Sequence, residues 1–289
     1  MLRFDFPRVT RPPAPKRLLR TSDGDTPVIE QPVRMVSVDT PEKAHYAGLP
    51  ATAQRKLDRC RSRLMDGTFD AFLPDSLRAY LAGRLTATAA ERHIAAGNRA
   101  SAEFDALLDR RLTRPSGPRR RTAIIPTGEI LDRYGRLLAY TAPWYDGGPS
   151  DPLPPRDHPD RRTFNLDMVS SGWGAMFLVH PSLPHNADLN RLVTEAEQAW
   201  SEQRGMWAEF GEDLLLAYEF RACVKLGAEE LDDPKAAVEE AYQRVCVDLR
   251  DLRVVGLHGY HEVPPSQRLF IWADDFEQAR KDLDLPLRS

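Results

Sequence analysis

The chain has 289 residues and a mass of 32.7 kDa, enough for one large domain or one domain with sizeable additions. With 42% hydrophobic and 29% charged residues it has the balance of a folded globular protein, which excludes wholesale disorder. No run approaches the roughly 18 apolar residues of a membrane-spanning helix. The formal net charge of −3 conceals a split: residues 208–289 hold 10 Lys and Arg against 18 Asp and Glu, a net of −8, and the remainder stands at +5. A basic body is compatible with a polyanionic partner, and an acidic tail with a protein partner or a self-inhibiting contact.

Residues 1–15 read as an irregular arm, because Pro7, Pro12, Pro13 and Pro15 deny a helix. The arm is basic, proline-interrupted and without an apolar stretch, so no secretory signal is expected. The three cysteines, Cys60, Cys223 and Cys246, form no C-x-x-C pair, a poor framework for disulfides or zinc. Both points favour the cytoplasm. Strand-like runs follow at 16–20, 27–30 and 33–38, the first two joined by the turn Asp23-Gly24-Asp25-Thr26. Apolar residues then recur at helical spacing over about 51–112.

A Pro-, Gly- and Arg-rich loop at 113–121 leads into two further strands at 122–125 and 136–141. A second long loop spans 143–160. Helices are predicted at 166–171, 190–207, 211–226 and 234–252, then a short aromatic strand at 269–272 and a last helix entered through Asp274 and Asp275. The class is α+β, a small and mainly antiparallel sheet interleaved with helical insertions.

The residues that suggest chemistry collect in three short segments: Asp23-Gly24-Asp25-Thr26; Arg34 with Asp39-Thr40-Pro41-Glu42; and Asp132-Arg133-Tyr134-Gly135-Arg136. Two carboxylates at turns or strand ends, Asp25 and Asp39, can share a hard divalent cation, with the Thr40 carbonyl as a third oxygen ligand. Pro41 ends the strand ladder and turns the chain, presenting Glu42 beside that position, where a carboxylate can activate a water as nucleophile. Arg34 and Arg136 are always-charged forks suited to phosphate oxygens. Each segment alone is also an ordinary turn; their order and placement together suggest metal-assisted phosphodiester hydrolysis.

These segments resemble the staphylococcal nuclease (thermonuclease) family. The D-T-P-E and D-x-Y-G-R elements are the specific part. Leu166-Asp167-Met168-Val169-Ser170-Ser171-Gly172-Trp173 is similar to the family's helix ending in glycine, and Ala196-Glu197-Gln198-Ala199 through Gly205-Met206-Trp207 to its closing helix and tryptophan.

The resemblance implies a five-stranded OB-fold β-barrel packed against helices over residues 16–207. It would carry a helical insertion at about 44–94, a loop insertion at about 143–160, and an acidic, mostly helical extension over 208–289 outside the resemblance. It further implies a Ca²⁺-dependent nuclease acting on DNA or RNA: Asp25, Asp39 and the Thr40 carbonyl as metal ligands, Glu42 as general base, Arg34 and Arg136 on the scissile phosphate, and Arg133 and Tyr134 on a neighbouring one. The family's base-lining tyrosines are replaced at this point by Leu178 and His180, which leaves His180 as the residue to contact a base. A catalytically silent nucleic-acid-binding or protein-interaction module on the same fold is the rival expectation.

Two features fall outside this scheme. The cluster Arg110, Arg111, Arg114, Arg119, Arg120 and Arg121 either tracks a nucleic-acid backbone or is a solvated loop. His258 and His261 have a spacing found in some metal sites but lack a nearby third ligand.

Overall fold

The computed structural model describes residues 15–145, 151–156 and 158–286. The predicted N-terminal arm, except for Pro15, and part of the 143–160 loop lie outside those residues. The chain opens with a hairpin of β1 (Arg17–Thr21) and β2 (Pro27–Glu30), closed by the predicted Asp23–Thr26 turn. β3 (Val33–Met35) and β4 (Ser37–Asp39) follow almost without pause. Four helices come next: α1 (Ala44–Ala47), α2 (Pro50–Met65), α3 (Asp75–Arg84) and α4 (Ala89–Leu112). β5 (Thr122–Leu131) and β6 (Leu137–Pro143) form a second hairpin. Then come α5 (Phe164–Ser170), β7 (Ala175–His180), α6 (Asn186–Ser201), α7 (Met206–Phe210), α8 (Ala217–Leu226) and α9 (Pro234–Ala241). The chain ends with β8 (Arg244–Asp248), β9 (Arg253–Gly256), β10 (Arg268–Trp272) and α10 (Phe276–Asp282).

The class is α+β, as expected, but the described strands do not close into a barrel. They form the β1-β2 hairpin, a three-stranded sheet in the order β3-β6-β5, and a five-stranded sheet in the order β4-β7-β10-β8-β9. Two pairings, β3 with β6 and β7 with β10, are parallel and the others antiparallel. The physical reason is at Val36–Ser37. Ser37 takes a φ of 61°, rare for a residue with a side chain, so the strand bends there and its two halves hydrogen-bond to different sheets. Asn165 of α5 fills the gap this opens. Its amide donates to the Val36 carbonyl at 2.8 Å and its side-chain oxygen accepts the Thr141 N–H at 3.0 Å, so buried backbone groups at the parting are not left orphaned.

The region after residue 207 is built into the body of the fold. β10 lies between β7 and β8, and α8 packs on α2. Alternate residues of the five-stranded sheet serve two cores, as a strand's two-residue period requires. Phe177, Cys246 and Phe270 face α2, α3, α8 and α9, whereas Leu178, Val247, Leu269 and Ile271 face α5, α6 and α10.

Several boundaries differ from expectation. The 190–207 helix starts at Asn186 and is broken at residues 202–205; the 211–226 helix is helical only from Ala217; and the 234–252 helix stops at Ala241. The last case was a choice between periods: Val245, Cys246 and Val247 are a continuous buried run, which suits a strand covered on both faces as well as a helix. β7 had no predicted counterpart. No described helix is long and apolar enough to cross a membrane.

Candidate functional site: a carboxylate–guanidinium cleft

The bend at Ser37 sets Arg34 in one sheet and Asp39 in the next, and folds the first back to the second: Arg34 Nη2 donates to Asp39 Oδ1 at 2.6 Å. Asp39 is 3% exposed. Its other oxygen accepts Arg221 Nη2 at 2.6 Å, and Arg221 Nη1 donates to Glu42 Oε1 at 2.7 Å. Burial by itself would push the Asp39 carboxyl up, but the adjacent Arg221 and Arg34 charges outweigh it and hold the group down at about 2. Burial likewise disfavours the Arg221 charge, yet Asp39 and Glu42 raise its pKa above the ordinary arginine value.

Arg221 is presented by α8. Buried Glu219 starts that helix by accepting the Leu216 N–H at 2.9 Å and is held by the Tyr80 hydroxyl at 2.9 Å. Two contacts fix Glu42 from behind. Its backbone N–H donates to His93 Nε2 at 2.8 Å, while His93 Nδ1 meets the Leu215 carbonyl at 3.0 Å and the ring stacks on Phe220 at 3.9 Å. Burial drives the His93 pKa down to about 3, so the ring is neutral and can accept. The second contact is steric. A Cβ at Gly97 of α4 would lie 2.6 Å from the Glu42 carbonyl oxygen, so only glycine lets the helix pass this close.

The D-R-Y-G-R turn forms one wall. Asp132 accepts the backbone N–H groups of Tyr134 and Arg136, both at 2.9 Å, and Gly135 supplies a φ of 71°. Arg133 and Tyr134 line a cleft shared with Tyr46, Arg221, Arg244 and Trp272. Arg136 turns to its own Asp132, Nε to Oδ2 at 2.7 Å, and lies 5.3 Å from the Tyr134 ring.

Of the sequence-predicted residues, Arg34, Asp39 and Glu42 therefore meet in one cluster, Arg133 and Tyr134 border it through Arg221, and Arg136 stands one side chain away. Thr40 follows Asp39, half-buried. Asp25 sits on the exposed tip of the first hairpin, where Thr26 Oγ1 donates to it at 3.1 Å. The base of that hairpin is anchored elsewhere, with Gln31 Nε2 donating to the Gly135 carbonyl at 3.0 Å. His180 lies at the other end of β7 from Ala175, the residue paired with Asp39. At the strand rise this is about 17 Å away, and His180 faces Asp282 at 3.7 Å.

As placed, the expected ligand set does not fit a calcium ion, which takes six to eight oxygens. Both Asp39 oxygens already carry guanidinium N–H groups, Glu42 is held by the same Arg221, and no described bond ties Asp25 to either. Among the described residues no group of three or more His, Cys, Asp or Glu is arranged for a metal. His258 and His261 are joined through the His258 carbonyl, 3.0 Å from His261 Nδ1. Three of the six arginines in the cluster are engaged in structure: Arg111 bonds Asp167, Arg120 bonds Asp160 at 2.6 Å, and Arg119 bonds Asp109 at 2.9 Å.

Sequence reasoning missed His93, Arg221 and Arg244. Arg221 and Arg244 fall in the stretch whose net charge is −8, and with Glu219 and Lys225 close by nothing in the local composition marks Arg221 out. No protein-family model matches the chain, and no curated protein matches it.

Proposed function

We propose that this cleft hydrolyses phosphodiester bonds of nucleic acid. The observation that carries the reading is the meeting of Arg34 with Asp39 and Glu42, the two carboxylates of the D-T-P-E element, beside the Arg133–Tyr134 wall. On this reading Glu42 orients a water and takes its proton as the water oxygen bonds to phosphorus; the ester P–O bond breaks and the leaving oxygen is protonated from solvent. Guanidinium groups of Arg34 and Arg221 offset the charge that builds on the phosphoryl oxygens, and do so best in a water-poor cleft. Arg133 and Tyr134 hold an adjacent phosphate. On this reading β1, β2, β3, β5 and β6 correspond to the five strands of an OB-type barrel, divided in this chain between a two-stranded and a three-stranded sheet.

Hydrolysis of plasmid DNA and of single-stranded RNA by the purified chain, with calcium and then with chelator, is the test. Cleavage that Glu42→Gln abolishes supports the reading, and the two conditions decide whether a divalent cation takes part. Binding of either nucleic acid without cleavage in both conditions would favour a silent binding module. The engagement of both Asp39 oxygens by Arg34 and Arg221, and of Glu42 Oε1 by Arg221, is what favours that second reading.

A further inference from the structure

The charges around the cleft do not cancel. Arg34 and Arg221 balance Asp39 and Glu42, and Lys225 balances Glu240, its Nζ 3.1 Å from the carboxylate. Two guanidinium groups remain. Arg133, which is exposed, bonds only the Tyr134 hydroxyl among the described residues, at 2.9 Å, and lies over that ring at 4.9 Å. Arg244, at the start of β8, has no hydrogen-bond or carboxylate partner among the described residues, and its Nε is buried and unsatisfied. The Arg244 group is held by rings alone, 4.0 Å from the Trp272 centroid and 5.5 Å from that of Phe177. Burial and the nearby Arg221 charge lower its pKa to about 10.

A partly buried guanidinium whose Nε is buried without a partner is costly unless something pairs with it. The cavity it lines, about 110 Å³, adjoins a wider one of about 780 Å³, and Arg133, Tyr242 and Trp272 border both. The larger volume is in the range of ligand pockets. At the narrow cleft, whose wall does not include the Asp274 carboxylate of the wider cavity, a surplus of two positive charges calls for a group of charge near −2. A phosphate monoester has that charge at neutral pH and a backbone diester does not. The fork of an arginine also matches phosphate oxygens in pairs.

We infer that the cleft binds the terminal phosphate of a nucleotide or oligonucleotide end, with Arg244 and Arg133 as its two counter-charges and the attached nucleotide in the wider cavity beside Trp272. This rests on reading the cleft as a phosphate-ester site, and adds that the ligand's end, and not only its backbone, is recognised. Most of the subsite comes from residues after 207, outside the segments that carry the family resemblance.

The experiment is a titration of the full chain with one deoxytrinucleotide in three forms: unphosphorylated, 5′-phosphorylated and 3′-phosphorylated. Binding is followed by calorimetry and tryptophan fluorescence. A phosphorylated form is expected to bind at least tenfold more tightly than the unphosphorylated one, with inorganic phosphate competing. In Arg244→Met the preference should vanish while the unphosphorylated trinucleotide binds as before, and Trp272→Phe should remove the fluorescence response. If Arg244→Met does not fold, Arg133→Met is read in its place, with a preference reduced several-fold. Equal affinity for all three forms in the parent protein, or an unchanged preference in the folded variant, overturns the inference. Preference without cleavage would leave it standing and defeat the proposed hydrolysis; cleavage without preference would do the reverse.

Discussion

The Arg221 guanidinium bridges Asp39 and Glu42, donating to one at 2.6 Å and to the other at 2.7 Å. It joins the end of β4 to a helix about 180 residues further along the chain. Replacing it with methionine leaves Asp39 buried with Arg34 as its remaining hydrogen-bonded partner. Breaking a buried pair from one side costs about 3–5 kcal/mol. Urea denaturation of Arg221→Met should show a loss of that order, and adding Asp39→Asn should restore a substantial part of it. A loss in the double variant equal to the sum of the Arg221→Met and Asp39→Asn losses would mean that the pair is not coupled.

The same pair sets an acid limit. The folded value for Asp39, about 2, is below the unfolded value of about 3.9. Its stabilisation is therefore complete above about pH 4 and is lost as the pH falls through 2. Asp39→Asn should flatten the stability profile across that window relative to the parent.

His93 contributes at higher pH. Its folded value of about 3 is below the unfolded value of about 6.5, so the stability it adds is present above pH 6.5 and drains as the pH drops toward 3. His93→Gln can keep an acceptor for the Glu42 N–H but does not titrate. Denaturation between pH 6.5 and 4 should show a shallower slope for the variant; an identical slope would place the sensitivity in another group, such as His258, whose pKa is also lowered by burial.

Gly97→Ala tests the steric support of Glu42. The added methyl meets the Glu42 and Pro41 carbonyl oxygens at 2.6 and 2.7 Å, so either α4 or the Pro41–Glu42 segment must shift. Such overpacking costs about 1–3 kcal/mol. Hydrolysis should fall more than stability, because displacement of about 1 Å can cost a hundredfold in rate. Thermal unfolding alongside initial rates separates the two.

A chain ending at Trp207 should not fold. It lacks β8, β9 and β10, and so leaves β7 with an open edge and strips Phe177 of the Tyr218 and Phe270 rings packed on it. Circular dichroism and amide dispersion of the truncated chain provide the measurement, and a cooperative thermal transition would argue for an independent body.

The legible parts of this structure are local ones. The turn at Asp23–Thr26, the strands at 27–30 and 136–141, the helices over 51–112 and the bond of Arg34 to Asp39 all follow from residues close in sequence. The closed barrel was an inference from likeness, and strand periodicity says nothing about which sheet a strand joins. Ser37 shows why: a left-handed serine carries no compositional mark, yet it sends the two halves of one apolar run to different partners. Arg221 and Arg244 were invisible for a related reason, since their net-acidic surroundings conceal single basic residues turned inward.

The Ser37 bend also sets a length tolerance. Val33–Met35 is registered against β6 and Ser37–Asp39 against β7, so neither half can slide to absorb an inserted or deleted residue. One residue more or less between Arg34 and Asp39 would invert the outlook of every side chain on one half. The spacing of those two residues is thus a ruler, and variation in this protein can accumulate in its loops far more readily than in that short interval.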